Sequence, residues 1–133
     1  MILELENGNK INNPTEAEIL EAVELLDGVD NSYLSLEDEN GNYIQVGGGK
    51  INFKVEVREI FNLNEFCHWE AEDKEVESNN LCTVFISGRT VAIREKNIIG
   101  RDLIISLLKD FLLGIKLSSR VNWKDITDMF KDD

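Results

Sequence analysis

His68 is the only imidazole in the chain, so a mechanism that needs two is excluded. It follows Cys67 and precedes Glu70 by two residues, which raises a Cys-His or a His-Glu site. A thiol nucleophile needs its base within hydrogen-bond reach. Residues 66–72 (FCHWEAE) alternate as a strand does, however, and adjacent strand residues point to opposite faces. Phe66, His68 and Glu70 then share one face, and Cys67, Trp69 and Ala71 the other. The His68/Glu70 pair reads as a solvated surface, because acid–base catalysis also asks for a nucleophile, an oxyanion site and a pocket. No catalytic residue is assigned.

Gly47-Gly48-Gly49 raises phosphate binding, which would place the start of a helix directly after the glycines. Ile51, Phe53, Val55 and Val57 instead alternate with Asn52, Lys54, Glu56 and Arg58. That is a strand period, and the glycines are expected to supply positive φ at a wide hairpin turn. Residues 37–42 (EDENGN) resemble half of a calcium loop but lack the bidentate Glu and the helix-loop-helix frame, so a charged hairpin tip is expected. Cys67 and Cys82, with no second pair beside them, form neither a zinc knuckle nor a disulfide framework, and two buried thiols are expected. No metal and no cofactor are expected.

The elements that must position these residues are readable from period and caps. Asn13-Pro14-Thr15 precedes Ile19, Leu20, Val23 and Leu26 at helical spacing, Thr15 with Glu18 makes a capping box, and Gly28 is the stop. Residues 33–36 and 43–46 alternate around Asn40-Gly41, a strong hairpin signal. Residues 51–58 add a third strand to this meander and residues 66–72 a fourth. The acidic stretch 72–80 (EDKEVESNN) reads as a loop, and residues 81–86 and 91–95 as a hairpin around Ser87-Gly88-Arg89. From Asn97, Ile99, Leu103, Leu107 and Phe111 form a helical stripe broadened by Ile104, Leu108 and Leu112, with Gly114 as the stop. Core burial of this stripe is expected, not a groove for a partner helix. Trp123, Ile126 and Phe130 predict a short closing helix or turn. The result is an α+β fold: one antiparallel sheet of about five to six strands with a meander core, and an N-terminal and a C-terminal helix packed mostly on one face.

A chain of 133 residues with 42% hydrophobic composition predicts a single domain over residues 1–133. No run is long and apolar enough to span a bilayer, and MILELENGNK has no basic segment followed by an apolar one, so a cytoplasmic location is expected. The net charge is −12, from 26 acidic and 14 basic residues. Residues 1–80 hold 19 of the acidic and 5 of the basic ones, so the first part of the chain carries the negative field. Such a field repels nucleic acid and anionic lipid and attracts basic partners; the bland alternative is a surface kept soluble by its carboxylates. The field also argues against Tyr33, Tyr43 and Trp69 as a platform for stacking bases.

The order Asn13-Pro14, Leu-Leu-Asp-Gly at 25–28, Leu-Ser-Leu-Glu at 34–37, Tyr-Ile-Gln-Val-Gly-Gly-Gly at 43–49 and Val-Glu-Val-Arg-Glu at 55–59 resembles bacterial polymorphic-toxin immunity proteins, a group that includes contact-dependent-inhibition immunity proteins. A late helix with an aromatic, followed by Asn122-Trp123-Lys124-Asp125-Ile126-Thr127, is also similar to members of that group. The stretch from Phe61 to Val76 is longer than the connection such members have. The resemblance implies a non-enzymatic protein that binds and neutralises a cognate toxin by forming a tight complex. Its motifs are structural and not catalytic, and it fixes no contact residues, because each immunity protein is matched to its own toxin.

A toxin that handles nucleic acid needs a basic active-site cleft, which an acidic protein can occupy with electrostatically steered association. The alternative is a small acidic regulatory or adaptor domain that docks on a basic cellular partner; an enzyme ranks third. The expected toxin-binding residues are Glu37, Asp38 and Glu39 at one hairpin tip, with Glu70, Glu72, Asp73, Glu75 and Glu77 on the fourth strand and its loop. Trp69 is the expected aromatic hot spot.

Overall fold

The capping box at Thr15 opens the first helix. The Thr15 hydroxyl accepts from the Glu18 N–H at 3.2 Å, and the Glu18 carboxylate accepts from the Thr15 N–H at 3.0 Å. These bonds satisfy donors that the first helical turn leaves free. In the computed structural model, which describes residues 1–131, this helix α1 runs Glu16–Glu24. The second, α2, runs Arg101–Leu112 and stops before Gly114, at φ +94°. It starts later than the stripe implies, because Ile99 is held by a β-bridge to Phe53. Among the described residues no helix is long and apolar enough to cross a membrane.

The strands are β1 (Ile2–Leu5), β2 (Lys10–Asn12), β3 (Tyr33–Glu37), β4 (Tyr43–Gly49), β5 (Asn52–Asn62), β6 (Glu65–Glu72), β7 (Leu81–Ile86), β8 (Arg89–Arg94) and β9 (Asn122–Asp125). Seven of them form one antiparallel sheet in the order β2-β1-β3-β4-β5-β6-β9. The fold class is α+β, as the sequence predicts, and the sheet is larger than expected. The N-terminus adds β1 and β2, and the tail pairs with β6 as β9 before closing in a 3-10 turn, Thr127–Phe130. The expected hairpin of β7 and β8 forms, but as a separate two-stranded sheet.

Both helices pack on one face of the large sheet. Ile19, Ala22 and Val23 of α1 and Ile104, Leu107, Leu108 and Phe111 of α2 share one core with Leu3, Leu34, Leu36, Ile44, Val46, Phe53, Val55, Val57 and Ala71 from the strands. Each fully buried Leu or Phe contributes about 2 kcal/mol, so this face supplies most of the driving force. The alternating residues of β5, Lys54, Glu56 and Arg58, point to the other face.

The glycine run is not the turn. Gly47, Gly48 and Gly49 lie inside β4, paired with Lys54, Phe53 and Asn52, and Lys50, at φ +62°, makes the turn. The glycines serve close approach instead. A Cβ on Gly47 would stand 2.9 Å from Ile86 Cδ1, on Gly48 (φ +128°) it would collide with the Asn52 carbonyl, and on Gly49 with the Gly28 backbone nitrogen. No helix follows, so these N–H groups do not form a phosphate cradle.

Gly49→Ala is therefore expected to cost about 3 kcal/mol or more of unfolding free energy, since two backbones must part. Gly100→Ala, whose added Cβ meets nothing within 4 Å, should cost about 1 kcal/mol or less, the loss expected at the N-cap of α2. Urea denaturation of both variants reads the difference.

Candidate functional site

Antiparallel register places Arg58 opposite His68, and Glu56 opposite Glu70, on the sheet face away from the helices. There the side chains form an ionic ladder. Arg58 Nε donates to His68 Nδ1 at 3.0 Å, and His68 Nε2 lies 2.5 Å from Glu56 Oε1. Lys54 Nζ stands 2.9 Å from Glu56 Oε2 and 3.6 Å from Glu70 Oε2. A guanidinium nitrogen can only donate, so Nδ1 accepts and Nε2 carries the proton that goes to Glu56. The ladder thereby fixes one neutral tautomer of His68.

Burial pushes the Glu56 carboxyl up, but the hydrogen bonds from His68 and Lys54 and the Lys54 charge outweigh it and leave the group below its ordinary value. Burial pushes Glu70 up as well; Lys54 opposes this without overcoming it, and the charge of Glu56 adds to the rise. Lys54 loses by burial and gains more from Glu56 and Glu70, so its ammonium is held above the ordinary range.

The expectation of a solvated His68/Glu70 surface is overturned. His68 is 2% exposed and Glu70 half-buried. The tail covers them: Thr127 Oγ1 accepts from the His68 N–H at 2.9 Å, Ile126 N–H donates to the His68 carbonyl at 2.8 Å, and the Phe130 ring lies 4.1 Å from the imidazole centroid. With both ring nitrogens engaged, the imidazole has no lone pair to offer a substrate. The hairpin of β7 and β8 covers the same face near Gly47. Between it and the sheet runs a groove of about 590 Å³, lined by Lys54, Glu70, Arg94, Lys96 and Lys124 among others. Cys67 and Cys82 are free and half-buried, which corrects the expectation of two buried thiols.

The nine expected binding residues do not gather on one surface, and Trp69 and Glu70 lie within β6 on its two faces. Glu37, Asp38 and Glu39 lie at the β3–β4 turn, level with the β5–β6 tip, whereas Glu72 ends β6 at the far side. Asp38 is committed internally, accepting from the N–H groups of Asn40 and Asn42 at 2.8 and 3.1 Å and from Asn42 Nδ2 at 2.9 Å. Glu37 and Glu39 are exposed. Glu70 belongs to the ladder, Glu72 pairs with Lys96 at 3.2 Å, and Asp73 accepts from the Glu75 N–H at 2.9 Å, which leaves Glu75 and Glu77 as the exposed carboxylates of that loop. Trp69 is half-buried and donates from Nε1 to Glu59 at 2.9 Å.

Two features escaped the sequence reading. Residues 11–49 hold nine carboxylates and no basic residue, and five of those nine, Glu16, Glu21, Glu24, Asp27 and Asp30, are exposed along α1 and the segment after it. Among the described residues none of these five makes an ion pair. The second is the β5–β6 tip, where Phe61 and Leu63 stand exposed between Asn62 and Asn64. Apolar side chains inside an Asn-rich turn were the available signal. No family model, curated protein or solved structure matches the chain.

The ladder has a pH signature. The Glu56 carboxyl is lowered in the fold, so its contribution is fully present above its ordinary value of 4.5 and is lost as pH falls through the lower folded value. Glu56→Gln is expected to destabilise by about 1–3 kcal/mol at pH 7. The difference from wild type should shrink as pH falls below 4.5, where the unfolded chain takes up a proton at Glu56 more readily than the folded one, and urea unfolding at pH 7 and at a pH below 4.5 measures it.

Proposed function

We propose that this chain is a cytoplasmic immunity protein that binds a cognate bacterial toxin acting on nucleic acid and neutralises it by forming a tight protein–protein complex. The observation that carries the reading is the unpaired acidic surface of residues 11–49, nine carboxylates without a basic residue. Carboxylates that no internal cation neutralises project their field into solvent, where it accelerates encounter with a basic surface. A cleft built to hold a phosphate backbone is such a surface. The resemblance along residues 13–59 supports the same partner class. The engagement of His68 and Glu56 within the ladder supports a binding role over an acid–base one.

A small acidic adaptor would share this field, and cell survival separates the two readings. Co-expression of this chain with the protein encoded beside it should restore growth that the neighbour alone arrests, and the two should co-purify. Growth arrest without rescue would refute the immunity reading.

The field can be tested by charge reversal. Glu21, Glu24 and Asp30 reversed together to Lys move the net charge from −12 to −6 without removing an internal ion pair. Association with the neighbour should slow by about tenfold at low salt and lose much of its salt dependence, while dissociation changes little. Stopped-flow mixing at two ionic strengths reads both rates.

A further inference from the structure

Strand β5 runs past its neighbour. The pairing of β4 with β5 ends at Tyr43 and Arg58, so beyond that point β5 and β6 continue as a two-stranded tip, with a register shift between Ile60 and Asn62. The shift leaves Phe61 without a partner on β6, and irregularities of this kind re-aim a side chain. Phe61 is 61% exposed and Leu63 fully so. The tip is braced: Asn42, itself 2% exposed, accepts from the Ile60 N–H at 2.6 Å and donates to Asp38, which ties the β3–β4 turn to β5.

Two depressions flank Phe61. One of about 630 Å³ lies toward Phe66, Cys67 and Phe130, and one of about 540 Å³ toward Ile60, Leu63 and Lys116. Glu37, Glu39 and Glu65 stand exposed at the same end of the sheet, against Lys116 and Lys131. An apolar centre with a charged rim is the anatomy of a protein–protein contact, and here carboxylates outnumber the cations around it.

We propose that the β5–β6 tip is the short-range docking element, in which Phe61 and Leu63 enter an apolar socket on a protein partner whose rim carries Lys and Arg opposite Glu37, Glu39 and Glu65. This rests on the reading above that the partner is basic, and it moves the anchor from Trp69, whose indole N–H is already bonded to Glu59. Long-range charge sets the encounter, and the two apolar side chains set how long the complex lasts.

The test uses the protein encoded beside this one, with Phe61→Ser/Leu63→Ser as the variant and Ile51→Ser as the control. Ile51 is 71% exposed at the β4–β5 turn, the opposite end of the sheet. Circular dichroism melts should show all three folded, because each replaced side chain is exposed. The double variant should dissociate about thirtyfold faster or more, with association nearly unchanged, and the control should match wild type. If wild type binds and the double variant binds equally well, the tip is the wrong element while the proposed function stands.

If wild type does not bind the neighbour, the proposed function falls and the tip is tested separately. A benzophenone side chain at position 63 then has to crosslink, in cells of the source organism, to one protein at an apolar site ringed by Lys and Arg, and Phe61→Ser has to abolish that product. Any other crosslinking result overturns the tip.

Discussion

A central strand that carries charge on one face can be buried only if those groups find partners on that face, from the strand itself and from its neighbour in register. In β5 the residues Phe53, Val55 and Val57 enter the helix-covered core, and the pleat then forces Lys54, Glu56 and Arg58 onto the opposite face. Strand β6 answers with His68 opposite Arg58 and Glu70 opposite Glu56, and the ladder from Arg58 to Glu70 closes. A slip of one residue would turn charges into the core and apolar side chains onto the ladder face. The ladder thus specifies register in addition to satisfying buried polar groups.

The rest of the second face follows from this ladder. It is too buried to remain a solvent surface and too polar for a helix, so irregular elements cover it: the 3-10 turn, which brings Phe130 over His68, and the hairpin of β7 and β8, which seats Ile86 against Gly47. Arg58 lies 4.2 Å from the Phe66 ring centroid and 5.0 Å from that of Phe130, which extends the cover toward the tip. Past the last pair with β4, neither the helices nor the cover shields Phe61 and Leu63. The function proposed for the molecule therefore depends on surfaces that the fold leaves over, the acidic strip along α1 and the apolar tip. Both are free because the interior charges are already paired with one another.

What the sequence made legible was local. The capping box of α1, the Asn40-Gly41 turn and the alternation of β3, β4 and β5 each depend on neighbours within a few residues. Pairings across long separations were not legible. Trp123 and Ile126 stand three residues apart, a helical spacing, yet Trp123 lies in strand β9, whose conformation is set by β6 some fifty residues earlier. The glycine run misled for the same reason, since the need for glycine comes from Ile86, Asn52 and Gly28 and not from a turn.

At the site, the faces of β6 were assigned correctly and their environments were not. His68 looked exposed because the covering turn lies some sixty residues downstream. Glu70 and Glu72 looked free because their partners, Lys54 and Lys96, are chosen by tertiary geometry, whereas Asp38 is held by Asn40 and Asn42 of its own turn. Composition did locate the negative field in the first part of the chain, but it could not separate paired carboxylates from unpaired ones.

Hydrogen exchange of this chain, alone and bound to the protein encoded beside it, tests the central claim most directly. Steering by the acidic strip at long range and contact at the apolar tip predict slowed exchange on binding at residues 59–67, with the β7–β8 hairpin and its groove unchanged. Protection confined to that hairpin and groove, with residues 59–67 exchanging as in the free protein, would contradict it.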